Sequence, residues 1–497
     1  MYAVVSRIGI RLRRLARDFL SQATILWRTS FIRNLGAVGA CNLLSRLVSL
    51  SVLGYGARKL GPEQYGLAGF ALSIVAYSGT LSFPGLPTWA ARHVAQNRAE
   101  AGSFWIQVVW LRVILAIGVF GATWLTVSVL CSEQQMRLAI MCASVVLLAS
   151  AFNPDWLFNG LELMRWPAMF SLASCSINAV LLVRLVHSPQ DLSQFLLIPS
   201  VATLVSAGGL SFIGLRTMRV QTFRPRFGEM GGFLRGCAVL TGMAASSTIL
   251  HHFNTILIMK HMGERETGNF LAAFRLLELS AGATMLLTVV FGSRVARLVK
   301  SDIARARQET KLFGILHIWL GMFVATLVLI GGPEVMHIIY GAKFNSAIPL
   351  LQLLAPAFFF NWLIIGQTNL LISFGKDRVM FLQMLVSAIC TVCAGLVAVP
   401  HFGAYGAVLS VCAADLSGWA AALWAYRQNV GSSLLSFWGF PFLAGTICSS
   451  LAWVNSDHSI IALILKGVTA FFIFALLFMV RDASHFRSLR GRLLASA

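Results

Sequence analysis

The residues of this 497-residue chain that carry chemistry stand inside apolar runs. A charge at a bilayer centre costs about 2.5–3.5 kcal/mol even on lenient insertion scales, so each needs a partner or a wet cavity. Arg275 and Glu278 lie three apart, putting a guanidinium and a carboxylate on one helical face. Asn42, Ser45, Arg46 and Ser49 follow the i, i+3, i+4, i+7 pattern of a single face, and Thr241, Thr248, His252 and Thr255 line another helix. Arg112, Asp155 after Pro154, Asn178 near Ser171 and Ser174, and Asp415 complete the set. A guanidinium forks onto phosphate oxygens, and Asn and Ser bond hydroxyls. Arg46, Arg112, Arg275, Asn42, Ser49 and Asn178 are therefore the candidate lining of an anion-binding cavity. Glu278, Asp155, Asp415 and His252 are candidates for ion coupling or for ion pairing within the membrane. A purely structural reading stands beside this one: Arg275 and Glu278 neutralise each other, and the hydroxyls bond their own helices.

The elements that position these groups follow from composition. Hydrophobic residues make up 57% of the chain and charged residues 11%, against about 25% charged in soluble domains. The expected class is an all-α, polytopic membrane protein. Fourteen apolar runs of about 20 residues, from 34–57 to 459–480, can each cross the hydrocarbon. Expected units are a basic N-terminal segment (1–33), helices 1–6 (34–216), a basic linker (217–236), helices 7–12 (237–426), helices 13–14 (427–480) and a basic tail (481–497).

Lys and Arg number 39 against 18 acidic residues. Here the excess reports topology and not nucleic-acid binding. Of these basic residues 28 fall on the side of both termini and seven on the other, while Arg46, Arg112, Arg275 and Lys466 fall within spans. The positive-inside rule then places both termini in the cytoplasm. Within the first segment Ile8, Leu12, Leu15 and Phe19 recur at helical spacing among arginines. That pattern suits an interfacial helix on anionic lipid, or equally a disordered leader. No soluble-sized segment and no G-x-x-x-x-G-K-[ST] loop occurs, so no enzyme, cofactor or metal is expected. The Cys390–Cys393 pair in an uncharged run is expected to be buried and structural.

The connection Arg58-Lys59-Leu60-Gly61-Pro62-Glu63-Gln64-Tyr65-Gly66 returns, 202 residues on, as Lys260-His261-Met262-Gly263-Glu264-Arg265-Glu266-Thr267-Gly268. Both read basic, x, apolar, Gly, four residues, Gly. A repeat of six helices preserves orientation and so predicts parallel lobes about an axis along the membrane normal.

At the first string, at Gly341-Ala342-Lys343-Phe344 and at His401-Phe402-Gly403-Ala404-Tyr405-Gly406-Ala407, the chain resembles the Wzx-type oligosaccharide flippases, relatives of multidrug antiporters and lipid II flippases. The resemblance implies two six-helix lobes in a V shape plus two C-terminal helices. It also implies translocation of undecaprenyl-pyrophosphate-linked oligosaccharide to the outer leaflet of the bacterial inner membrane by alternating access. Partners on this reading are the lipid-linked glycan, membrane lipid and a polysaccharide polymerase complex. Where that family often has an acidic residue in the seventh span, this chain has His251-His252-Phe253-Asn254. A cation-coupled multidrug exporter of the same fold and a membrane glycosyltransferase or polymerase are the competing readings.

Overall fold

The computed structural model describes residues 30–83, 85–218, 232–233, 236–374, 377–430, 437–452 and 460–481. The basic N-terminal segment up to residue 29, most of the linker and the basic tail lie outside them. The described residues are almost all helical, and no strand occurs among them. Eight helices are long and apolar enough to cross a membrane, or nine if the bent pair Ala342–Leu353 and Ala355–Thr368 is taken as one.

Helix α1, Ser30–Ser82, is two arms joined at Gly61, whose φ of 76° and ψ of 170° break the helix. Ser49 and Leu53 before the break line the same cavity as Gly69 and Leu72 after it, so the chain doubles back there. Such a φ is one that a Cβ disfavours, which is why glycine stands at this turn. Next come α2 (Leu86–Gln96), α3 (Ala101–Leu130) and α4 (Gln134–Ala151). The fourth expected span is interrupted at Phe152-Asn153-Pro154, beyond which α5 is only Asp155–Gly160. Pro154 has no N–H to continue the ladder. Helices α6 (Arg165–Leu185) and α7 (Leu192–Thr217) close the N-terminal half.

The C-terminal half opens with α8 (Ala238–Met262) and α9 (Glu264–Ser301), separated by Gly263 at φ 81° in the same turn as Gly61. Helix α10 is Ile303–Tyr340, α11 Ile348–Leu353 and α12 Ala355–Ser373. Helix α13, Asp377–Val430, doubles back at Gly403, and Ser410 Oγ donates to Thr391 O across its arms at 2.9 Å. Helices α14 (Gly439–Ala452) and α15 (Ile460–Arg481) follow.

Pro333 inside α10 cannot donate to Leu329 O, and that carbonyl takes Gln352 Nε2 at 3.1 Å instead. The next carbonyl, Ile330 O, accepts Lys466 Nζ at 3.0 Å, and Lys466 also pairs with buried Glu334 at 2.7 Å. The kink thus fastens α15 to the C-terminal half. Large apolar side chains face outward, among them Ile117, Leu125 and Leu130 on α3 and Ile461 and Phe472 on α15. In water such a surface would drive association, whereas hydrocarbon solvates it. Cys390 and Cys393 depart from the expectation of a buried pair: both are free thiols, and Cys393 is exposed on the outer face of α13. Spacing three apart puts two residues on one face, but which face is buried is decided by the neighbouring helices.

Candidate functional site

Arg275 and Glu278 meet at 2.6 Å on α9, with side chains 29% and 20% exposed. They line a cavity of about 240 Å³ together with Ser49, Leu53, Tyr65, Gly69, Leu72 and Phe195. Its walls therefore come from both halves. The Arg46 guanidinium lies directly over Gly282, one turn beyond Glu278, where a larger residue would displace it. A second pocket of about 170 Å³ shares Ser49, Leu53, Leu72 and Phe195 with the first and extends among Cys175, Asn178 and Pro199. A third, also about 170 Å³, lies on the other side of Glu278 and is lined by His251, Asn361, Thr391 and Asp415. Glu278 thus borders both the cavity between the halves and the pocket within the C-terminal half.

Of the candidate binding residues, Arg275, Ser49, Asn178 and Arg46 fall in or beside this connected space. Asn42 is exposed on α1, one turn before Arg46. Arg112 does not join them. It is 5% exposed and donates through Nη1 to Asn153 O and through Nη2 to Ser150 O, both at 2.6 Å, with Phe83 packed on the guanidinium at 4.6 Å. It answers carbonyls at the Pro154 break, where Ser150 O loses its i+4 donor to the proline and otherwise accepts from Asn153 N at 3.2 Å. Asp155 belongs to the same break, accepting from Asn153 Nδ2 at 2.9 Å.

The polar face of α8 makes the seam between halves. Thr248 bonds Thr80 at 2.6 Å, and His252 Nδ1 lies 3.1 Å from Ser73 Oγ. Sequence reading passed over Tyr65, Asn361, Thr391 and Phe195. Asn361 stands out as an amide in a Phe-rich run and was legible. Tyr65 stands inside the repeated Arg58–Gly66 string, whereas Phe195 carries no such signal.

At the end holding Gly61 and Gly263 the halves touch through backbone. A Cβ on Gly66 would strike Glu264 O, and one on Gly268 would strike Pro62 O. Tyr65 packs edge-on against Tyr340 at 6.3 Å and Phe344 at 5.8 Å between ring centroids. Burial, and then the nearby carboxylates Glu133 and Glu63, hold the Glu264 carboxyl above its ordinary value. At the opposite end Gly85 lies against the α8 backbone at Leu240–Thr241, and Gly236 against Trp89. Among the described residues no group of three His, Cys, Asp or Glu side chains is arranged to hold a metal ion.

Residues 31–291 match the family described as polysaccharide biosynthesis protein. Over 344 residues the chain is 24% identical to a Shigella dysenteriae protein provisionally described as an O-antigen transporter, covering 68% of this chain and 83% of that one. A counterpart from Escherichia coli strain K12, with the same description, is 24% identical over 325 residues, 62% of this chain and 75% of that one. Among solved structures, the lipid II flippase MurJ in an inward closed conformation superposes with a TM-score of 0.72 at 12% identity, over 89% of this chain and 98% of that one. An inward-facing multidrug transporter of the MATE family follows with a TM-score of 0.60 at 14% identity, over 80% and 98%. The fold is that of these two-lobed transporters.

Proposed function

Because this chain belongs to the polysaccharide biosynthesis protein family, we propose that it is a flippase for a lipid-linked polysaccharide precursor. The observation that carries this reading is Arg275, held at 2.6 Å by Glu278 in a cavity built from both halves. A guanidinium with one carboxylate partner can exchange it for phosphate oxygens, and does so strongly where water is scarce. The substrate on this reading is undecaprenyl-pyrophosphate-linked oligosaccharide. Its pyrophosphate lies between Arg275 and Arg46, and its first sugars reach toward Ser49 and Asn178.

Transport proceeds by alternating access of two lobes, helices 1–6 over 34–216 and helices 7–12 over 237–426, with α14 and α15 riding on the second. Both termini are cytoplasmic on this reading, which the excess of basic residues on their side supports, and the substrate moves outward across the inner membrane. Glu278, bordering the central cavity and the pocket holding Asp415, is the residue through which ion movement in the C-terminal lobe reaches the substrate. A polymerase complex is the natural recipient of the flipped glycan.

The test is a vesicle assay with purified protein and lipid-linked oligosaccharide. Arg275→Ala should insert and accumulate normally yet lose at least about tenfold in flipping, the value of one charge-assisted contact; Arg275→Lys should retain part. Flipping by Arg275→Ala at the parental rate sinks the phosphate site. Formation of any new glycan product would favour the polymerase reading.

A further inference from the structure

The string Arg58–Gly66 is more than a turn: Pro62 O lies against Gly268 of the opposite half, and three further residues touch that half. Gly66 meets the Glu264 carbonyl, Tyr65 meets Tyr340 and Phe344, and Arg58 reaches the end of α10. Arg58 Nε donates to Ile339 O at 2.9 Å, while Nη2 donates to Ile338 O and, at 3.4 Å, to His337 O. These are last-turn carbonyls of α10. A helix leaves its last four carbonyls without intrahelical partners and carries partial negative charge there. Gly341 N covers Met336 O and His337 O, which leaves Ile338 and Ile339 to Arg58. Gly54, one turn before Arg58, brings α1 against Ile339 O so closely that a Cβ would sit 2.7 Å from it.

The N-terminal half handles the equivalent problem internally. Helix α3 ends at Leu130, and its next carbonyl, Cys131 O, accepts Arg137 Nη2 at 2.7 Å from the adjoining helix of the same half. Lys260, which the repeat places opposite Arg58, stands exposed. One helix end is thus closed by its own half and the other by its opposite, and only the second kind must break if the halves part at this end.

We propose that Arg58 is a releasable latch: its fork on the terminal carbonyls of α10 holds the halves together at the end carrying Gly61 and Gly263, and letting go is required for that end to open. The anchor is a helix terminus and not an acidic side chain. The hold is therefore directional yet modest, as a gate that opens every cycle requires. This deepens the alternating-access reading and rests on it.

The experiment reads the gate itself and not transport. In a background with all nine native cysteines replaced, Leu53→Cys in the central cavity is labelled by a membrane-impermeant maleimide, from outside in intact cells and from the cytoplasmic face in inverted vesicles. Arg58→Ala should raise labelling through the Gly61 end about fivefold, the equivalent of one cation at a helix C-terminus, and lower it from the opposite face. Arg58→Lys keeps the charge without the fork and should fall between, while Lys260→Ala should match the parent. Parental labelling on both faces in Arg58→Ala overturns the latch. Should that variant fail to accumulate, parental labelling in Arg58→Lys does so. A protein that labels as proposed but moves no lipid-linked sugar keeps the latch and loses the substrate assignment.

Discussion

Gly66 and Gly268, equivalent positions of a 202-residue repeat, lie back to back: a Cβ on Gly66 would strike Glu264 O and stand 2.7 Å from Gly268 N, and one on Gly268 would strike Pro62 O and stand 3.2 Å from Gly66 N. One step further, Gly69 faces Leu271, again its own equivalent. Residues that touch their own repeat mates mark a two-fold axis, so the axis of the parallel repeat passes through this contact. Adding a methyl here must push two helix backbones apart. Gly66→Ala and Gly268→Ala should each cost about 1–3 kcal/mol, as overpacked sites do, read as a lowered unfolding temperature in detergent. A variant as stable as the parent would show that the backbones do not meet there.

On the proposed function Glu278 would compete with substrate phosphate for Arg275, so neutralising it should separate binding from turnover. Glu278→Gln should bind a lipid pyrophosphate more tightly, by up to about tenfold for one charge-assisted contact, while flipping more slowly because release is delayed. Equilibrium binding in detergent beside flipping in vesicles checks this. Weaker binding by Glu278→Gln would place the carboxylate among the substrate's own contacts.

Arg112 holds a broken helix and does not face the central cavity. Arg112→Ala removes two 2.6 Å bonds to Ser150 O and Asn153 O and should cost about 3 kcal/mol or more, since buried carbonyls lose a charged donor. The expected readout is low accumulation in the membrane, with flipping per surviving molecule near parental. Normal accumulation with abolished flipping would return Arg112 to the substrate path.

Lys466 and Glu334 form a buried pair at 2.7 Å at the Pro333 kink. Removing one partner strands the other, so Lys466→Met alone should destabilise by about 3–5 kcal/mol, and adding Glu334→Gln should recover part of that. Thermal unfolding of the single and double variants measures the coupling. Strictly additive losses would show that the pair does not act as a unit.

Glu264 lies in the connection after α8, with its carboxyl raised by burial and by Glu133 and Glu63. A raised carboxyl pKa means that the closed arrangement disfavours the charged form. Protonation therefore stabilises this end, and the gain is lost as pH rises through the closed-state value. Labelling of Leu53→Cys through the Gly61 end, taken relative to the same thiol in unfolded protein at each pH, should slow on acidification, and Glu264→Gln should remove that relative dependence. An unchanged pH response in Glu264→Gln would move the effect to another group.

The membrane class, the helical architecture and the repeat are legible in the chain's residues because each rests on composition or local spacing. An apolar run of about 20 residues has few alternatives to a spanning helix, since hydrocarbon leaves no partner for exposed backbone. The repeat was legible because a break such as that at Gly61 or Gly263 needs a residue without Cβ, and that requirement is written in the residue type. The Arg275–Glu278 pair was visible for a similar reason, its partners being one turn apart. Which polar residues share a space depends instead on how the helices pack. Arg46 and Arg112 look alike in sequence, two arginines in apolar runs, yet one lies over Gly282 beside the central cavity and the other closes a proline break within its own half. Likewise, nothing local to Arg58 says that its acceptors are 279–281 residues away, nor to Lys466 that Glu334 is 132 away. The partner of a buried charge is set by which helices pack together, and that packing is decided by the whole chain at once.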